Sequence, residues 1–203
     1  MAVNSSFKNM TLCLLVICFV CSALLAGVNV LTKGPIAKAV EAKTTAAVTA
    51  VVPECDIVSN VQSTEFNGNN YNYYVVRLGE DVVGYAIETS VSGFGGNLKL
   101  MVGFNTEGVV CNTSVLECNE TPGLGAKCKE AAFADQFKDF NPSVKALKVR
   151  KDGGDVDAIT ASTITSRAYS LAVANAYEVY KSLTSVQEEA PVAEEEIGGT
   201  DNE

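Results

Sequence analysis

The stretch Met10–Val30 carries no charged side chain and is built almost wholly from Leu, Val, Ala, Cys and other apolar residues. As an α-helix rising about 1.5 Å per residue it covers roughly 30 Å of hydrocarbon, so a membrane-spanning helix is predicted there. The run exceeds the apolar core of a signal peptide, about 7–15 residues, and no small-x-small cleavage site directly follows it. A retained single-pass anchor is therefore expected rather than a cleaved leader. Bulky residues precede Cys13, Cys18 and Cys21, unlike a lipoprotein cleavage site. Lys8 lies on one side of the run and Lys33, Lys38 and Lys43 on the other, so the positive-inside rule does not settle orientation.

The remaining organisation is read in blocks: residues 1–9 as a cytoplasmic N-terminal segment, 10–30 as the span, 31–52 as a helical continuation or stalk, 53–185 as one folded domain, and 186–203 as an acidic disordered tail. The tail lacks basic residues and has almost no large apolar ones, so it cannot offset the entropy of ordering. Within the domain, Tyr71–Leu78 and Asp81–Thr89 flank Gly79-Glu80 and predict a β-hairpin; Asn97–Phe104 and Val109–Glu117 flank Asn105–Gly108 and predict another. Apolar residues at helical spacing predict a helix over Ala126–Phe140, and alternation predicts a strand over Val144–Val149. A last amphipathic helix is predicted over Ile164–Leu183. The fold class that follows is α+β: one transmembrane helix, then an antiparallel sheet with flanking helices.

Composition removes several functions. The chain has no histidine, which eliminates Ser-His-Asp triads and His-ligated zinc or haem. A formal charge of -9 without any basic cluster argues against nucleic acid. Cys55, Cys111, Cys118 and Cys128 form no CxxC pair and match no ferredoxin spacing, so burial or a disulfide is expected of them rather than a cluster; no metal site is predicted.

Two segments carry chemistry. Asp157-Ala158-Ile159-Thr160-Ala161-Ser162-Thr163-Ile164-Thr165-Ser166 precedes the last helix. A capping role explains one or two of its hydroxyls, but not so many in so short a run. The free N–H groups and dipole at such a helix start also favour a phosphate. The second segment is Asn119-Glu120-Thr121-Pro122-Gly123-Leu124-Gly125. As a connector it is a Pro-Gly turn; as a site, its glycines admit backbone close to a flat ring that Leu124 can cover.

These two segments, in this order behind an N-terminal anchor, resemble the FMN-binding domains of the Rnf and sodium-pumping quinone reductase complexes. Thr160-Ala161-Ser162-Thr163 after Asp157 looks like their flavinylation signal, with Ala161 where the family usually has Gly and Ser162 where it usually has Ala. Glu120–Gly125 matches the family's flavin-lining loop, and the Ser92–Gly96 turn fits as well. The resemblance covers roughly residues 5–185, and the chain length suits the G subunits of Rnf complexes better than the longer C subunits of the quinone reductases.

What the resemblance implies is FMN joined through its phosphate to Thr163 by an FAD-dependent FMN transferase. Glu120, Thr121, Gly123, Leu124, Gly125, Lys127, Thr160, Ser162, Ile164 and Thr165 would surround it. Thr165, about 200° around the helix from Thr163, is expected to face elsewhere. The implied role is an electron relay with no catalytic side chain of its own. It would work beside the other subunits of an ion-translocating complex, anchored in the lipid of a bacterial inner membrane with the domain outside the cytoplasm. Two readings of other classes stand against it: a membrane-tethered interaction module without flavin, and a free-standing flavin reductase, for which no proton-donor cluster stands out.

Overall fold

The computed structural model describes residues 7–52 and 57–188. Cys55 and the acidic residues from Glu189 onward therefore lie outside the described residues. By internal contacts the chain divides into one unit ending at Thr45 and a second beginning at Ala46.

The first unit is most of helix α1 (Phe7–Val51). Its apolar window has a mean hydropathy of 2.7 and none of it is buried, so by length and composition this helix can cross a membrane. Pro35 lies inside α1, beyond the apolar run, where its missing N–H removes one helical hydrogen bond. The Lys- and Ala-rich segment after residue 31 continues the same helix, as its composition suggests.

The second unit is an antiparallel sheet between two apolar layers. Its strands are β1 (Ile57–Val58), β2 (Gln62–Phe66), β3 (Asn69–Leu78), β4 (Asp81–Ser92), β5 (Asn97–Asn105) and β6 (Val110–Cys118). The path runs β1-β3-β4-β5-β6, with β2 also pairing β3. Both predicted hairpins are present, β3 with β4 and β5 with β6. Strand alternation then assigns the faces. Tyr85, Ile87, Leu100, Val102 and Phe104 enter the main core, while Ala86 and Met101, one residue out of step, enter a second core on the opposite face.

That second core is closed by the end of α1: Ala47, Val48, Val51 and Val52 pack with Val76, Ala86, Met101 and Leu116. Glycine permits the approach. A Cβ on Gly103 would lie 2.2 Å from the Val51 carbonyl oxygen, a clash with backbone that no side-chain rotation relieves. Gly103→Ala should therefore destabilise the domain by about 1–3 kcal/mol, as overpacking does, measured as a lowered unfolding midpoint of the detergent-solubilised chain.

The main core is covered by helix α3 (Thr163–Glu188), which buries Tyr169, Ala172, Val173, Ala176, Val179 and Tyr180. Phe133, Phe137 and Phe140 join it, with Phe137 lying 4.8 Å from the Tyr169 ring between centroids. Each large apolar side chain buried this way contributes about 1.5–3 kcal/mol.

Two expectations are corrected. Ala126–Phe140 is not one helix but a 3₁₀ turn (Gly125–Lys129), a single α turn, α2 (Ala131–Ala134), and a second 3₁₀ turn (Asp135–Phe137). Glu130 and Lys138 are extended and Asp139 has a φ of 52°, so the chain bends on either side of the turns that carry Phe133 and Phe137 to Tyr169; the periodicity marked the buried face but not the backbone. Val144–Val149 is not a strand. Asn141 captures it in a turn, its Oδ1 accepting from Ser143 N–H and its carbonyl from Lys145 N–H. Val144 is 81% exposed, and the segment's sheet character is a lone bridge between Val149 and Val156.

Candidate functional site

The two chemistry-bearing segments meet. The loop after β6, the Gly93–Gly96 turn between β4 and β5, and the start of α3 enclose a cleft of about 370 Å³. It is lined by Glu120, Thr121, Leu124 and Gly125 from the first, Phe94 from the second, and Ala161–Thr165 from the third.

The loop is shaped by backbone chemistry. Leu124 N–H donates to the Thr121 carbonyl across Pro122-Gly123, with Gly123 at a φ of 75°, the arrangement a Pro-Gly turn prefers. Glu120 holds that loop to its neighbour: its buried carboxylate accepts from the Phe94 N–H at 2.7 Å and the Gly95 N–H at 3.3 Å. Gly125 is where loop meets helix. A Cβ there would lie 2.5 Å from Glu120 Oε2 and 2.7 Å from Thr165 Oγ1.

The helix start is equally constrained. Ser162 N–H donates to the Ile159 carbonyl, and the Ser162 carbonyl accepts the first helical bond from Ser166 N–H. Ser166 Oγ accepts from Ile159 N–H at 2.9 Å and donates to the Ser162 carbonyl at 2.9 Å, locking the turn onto α3. Helix geometry then leaves the N–H groups of Thr163, Ile164 and Thr165 without an intrahelical acceptor. In this turn Ala161 has a φ of 60°. That conformation costs a non-glycine residue about 1–2 kcal/mol, which gives the family's usual glycine a physical reason. Because glycine also gains unfolded-state freedom worth about 0.4–1 kcal/mol, Ala161→Gly should be slightly stabilising, by about 0.5 kcal/mol, visible as a small rise in melting temperature.

The hydroxyls divide clearly. Thr160 is exposed but lines a separate depression with Lys127, Gln136 and Asp157. Ser162 and Thr165 border the cleft but are buried, at 7% and 1% exposure. Thr163 borders the cleft and is part-exposed, at the first residue of α3. Thr165 therefore does not face away from the cleft: its hydroxyl turns in toward Gly125 and forms part of the cleft wall. Gly123, Lys127 and Thr160, expected around the ligand, do not line the cleft; Gly123 sets the turn, and the other two sit beside it. The Asp157 carboxylate is paired with Arg150, while its backbone carbonyl accepts from the Gln136 amide and its N–H donates to it, so the residue braces the approach to the helix.

Phe94 and Ala161 were not among the sequence candidates. Phe94 is 69% exposed between glycines, and an aromatic ring held out by a glycine turn is the signal that could have found it. With Leu124 and Ile164, also exposed, it gives the cleft apolar surfaces, while the helix start offers N–H donors and a hydroxyl. A flat ring bearing a phosphate fits that donor set and that volume.

The fold and cleft define an FMN-binding domain: the FMN-binding domain family model matches residues 93–178, which span the Phe94 turn, the Glu120 loop and most of α3. The G subunit of a proton-translocating ferredoxin:NAD(+) oxidoreductase complex from Clostridium ljungdahlii is 30% identical over 187 residues, 89% of this chain and 95% of that one. The G subunit of an ion-translocating oxidoreductase complex from Shewanella amazonensis is 34% identical over 76% of this chain and 79% of its own length. The counterpart from Erwinia tasmaniensis is 40% identical, over 50% of this chain and 51% of that protein. Among solved structures, the C subunit of the Na(+)-translocating NADH-quinone reductase from Parabacteroides distasonis overlaps 55% of this chain and 61% of its own, at 22% identity and a TM-score of 0.44. The chain belongs to the family of G subunits of ion-translocating oxidoreductase complexes.

Proposed function

We propose that this chain carries FMN covalently, through a phosphoester to Thr163, and relays electrons within an ion-translocating oxidoreductase complex in which it is a membrane-anchored subunit. The observation that carries the reading is the division of hydroxyls: Thr163 combines cleft lining, solvent access and the first-turn position on α3.

Charge supports attachment over simple binding. The cleft's lining includes no Lys or Arg, and its one ionisable side chain, Glu120, is already an acceptor for two backbone N–H groups. A phosphate would rely on N–H groups and the helix dipole, an attraction of about 0.3–1 kcal/mol at an exposed helix end. That is too weak to retain a cofactor through many turnovers, and a covalent bond removes the need. The bound flavin would supply one- and two-electron transfer. The chain's own part is to present Phe94, Leu124 and Ile164 to the ring, aim the N–H groups of α3 at the phosphate, and fix both through Glu120 and Ser166. The experiment is in-gel: after co-expression with an FAD-dependent FMN transferase, the denatured band should fluoresce under ultraviolet light, and a dark band would overturn the assignment.

The domain is assigned to the extracytoplasmic side, with partners in the same complex and lipid around α1. Protease added to intact spheroplasts should then cleave the domain; protection until lysis would reverse the orientation.

A further inference from the structure

Cys118 ends β6, and Cys128 lies in the 3₁₀ turn that follows the site loop, so the two thiols bracket the segment holding Glu120, Thr121, Leu124 and Gly125. Their sulfurs are 3.7 Å apart, Cys128 fully buried and Cys118 partly exposed, and both are free thiols. A disulfide needs about 2.05 Å, which modest side-chain rotation can supply from this distance. Cys111 is no competitor. It lies near the start of the same strand, seven residues earlier and roughly 23 Å along an extended chain from Cys118.

We propose that Cys118 and Cys128 are an oxidisable dithiol, a redox modification site that closes into a disulfide across the base of the flavin-cleft loop, with an external disulfide as oxidant. Cys118 is the entry point because it is the accessible member. Its thiol loses a proton to solvent, and the thiolate attacks the external disulfide, breaking that S–S bond and releasing one thiolate. Cys128 then loses its proton to solvent and attacks the Cys118 sulfur, forming the internal bond and releasing the second thiolate. Two electrons pass from the cysteine pair to the external disulfide, and the two protons finish on the released thiols.

Burial and the adjacent Cys118 thiol push the Cys128 thiol up to about 12, so it stays protonated in the resting state and serves as the resolving group. The outcome of closure is a shorter tether on the loop: Asn119–Lys127 becomes a ring fastened at both ends, and its excursions away from Phe94 and the start of α3 are limited. This inference does not depend on flavin attachment, and it is tested on chains made with and without the transferase.

The full chain in detergent is incubated with excess glutathione disulfide, quenched in acid, alkylated and mapped. The expected product is a Cys118–Cys128 linked peptide pair, lighter by two hydrogen atoms, with Cys111 alkylated. C128S should accumulate glutathione on Cys118, whereas C118S should leave Cys128 as a thiol. Tryptic cleavage at Lys127 should slow several-fold in the oxidised wild type and not in C118S. Glutathione retained on wild-type Cys118, linkage of Cys118 to Cys111 or Cys55, alkylation of both thiols, or unchanged cleavage at Lys127 would each overturn the proposal.

Discussion

Thr163→Ala should abolish covalent FMN attachment while the domain remains folded. Thr163 is the first residue of α3 and part-exposed, and its side chain is outside the set of fully buried core groups. Ser162 holds the cap position, so truncating the Thr163 hydroxyl should cost no more than a lost cap, about 0.5–2 kcal/mol, which leaves the chain folded and makes flavin loss attributable to the missing oxygen. Thr165→Ala should keep the flavin, because its hydroxyl is buried against Gly125. Thr160→Ala should reduce attachment at most, since Thr160 opens onto the neighbouring depression with Asp157. Intact mass after co-expression with the transferase reads all three, as the presence or absence of one FMN less a water. A Thr163→Ala chain that retains that mass, mapped to Thr160 or Thr165, moves the acceptor and leaves the family unchanged.

How much of this was legible in the residues follows from what kind of physics each element uses. The hairpins, the membrane-capable helix and α3 are periodic, and periodicity survives folding because it expresses one buried face. Tyr169, Ala172, Val173, Ala176 and Val179 are all buried as their spacing required. The segment from Gly125 to Val149 broke the same rule. There aromatic contacts among Phe133, Phe137, Phe140 and Tyr169 dictated the backbone, and a bent path with extended Glu130 and Lys138 satisfied them better than a straight helix. At the site, both motifs were readable, but their division of labour was not. That Glu120 is spent on two backbone N–H groups of another loop, and that Thr165 faces in, are consequences of long-range packing that spacing alone does not encode. Phe94 was hidden for the same reason. Its glycine turn was visible, while its place beside α3 depends on how the sheet brings residues 94 and 163 together.

Glu120→Ala should be the most damaging single change near the cleft. The carboxylate is 7% exposed and joins two segments 25 and 26 residues apart in sequence. Removing it leaves the Phe94 and Gly95 N–H groups without their charged acceptor, a loss of about 2–4 kcal/mol given about 1.5–3 for a hydrogen bond to a charged group. Glu120→Gln keeps one acceptor oxygen and should cost about half as much. The decisive measurement is a cycle with Gly125→Ala. Alone, the new Cβ meets Glu120 Oε2 and Thr165 Oγ1, so the loop must shift and stability should fall by about 1–3 kcal/mol. In the Glu120→Ala background the contact with Oε2 is gone, while those with Thr165 Oγ1 and the Cβ of residue 120, at 2.9 Å, remain; Gly125→Ala should then cost less than it does in the wild type, a coupling of about 0.5–2 kcal/mol. Additive costs would mean that the Glu120 carboxylate does not limit the space at Gly125, and an unchanged stability of Glu120→Ala itself would sink the account of Glu120 as the clasp between the two loops.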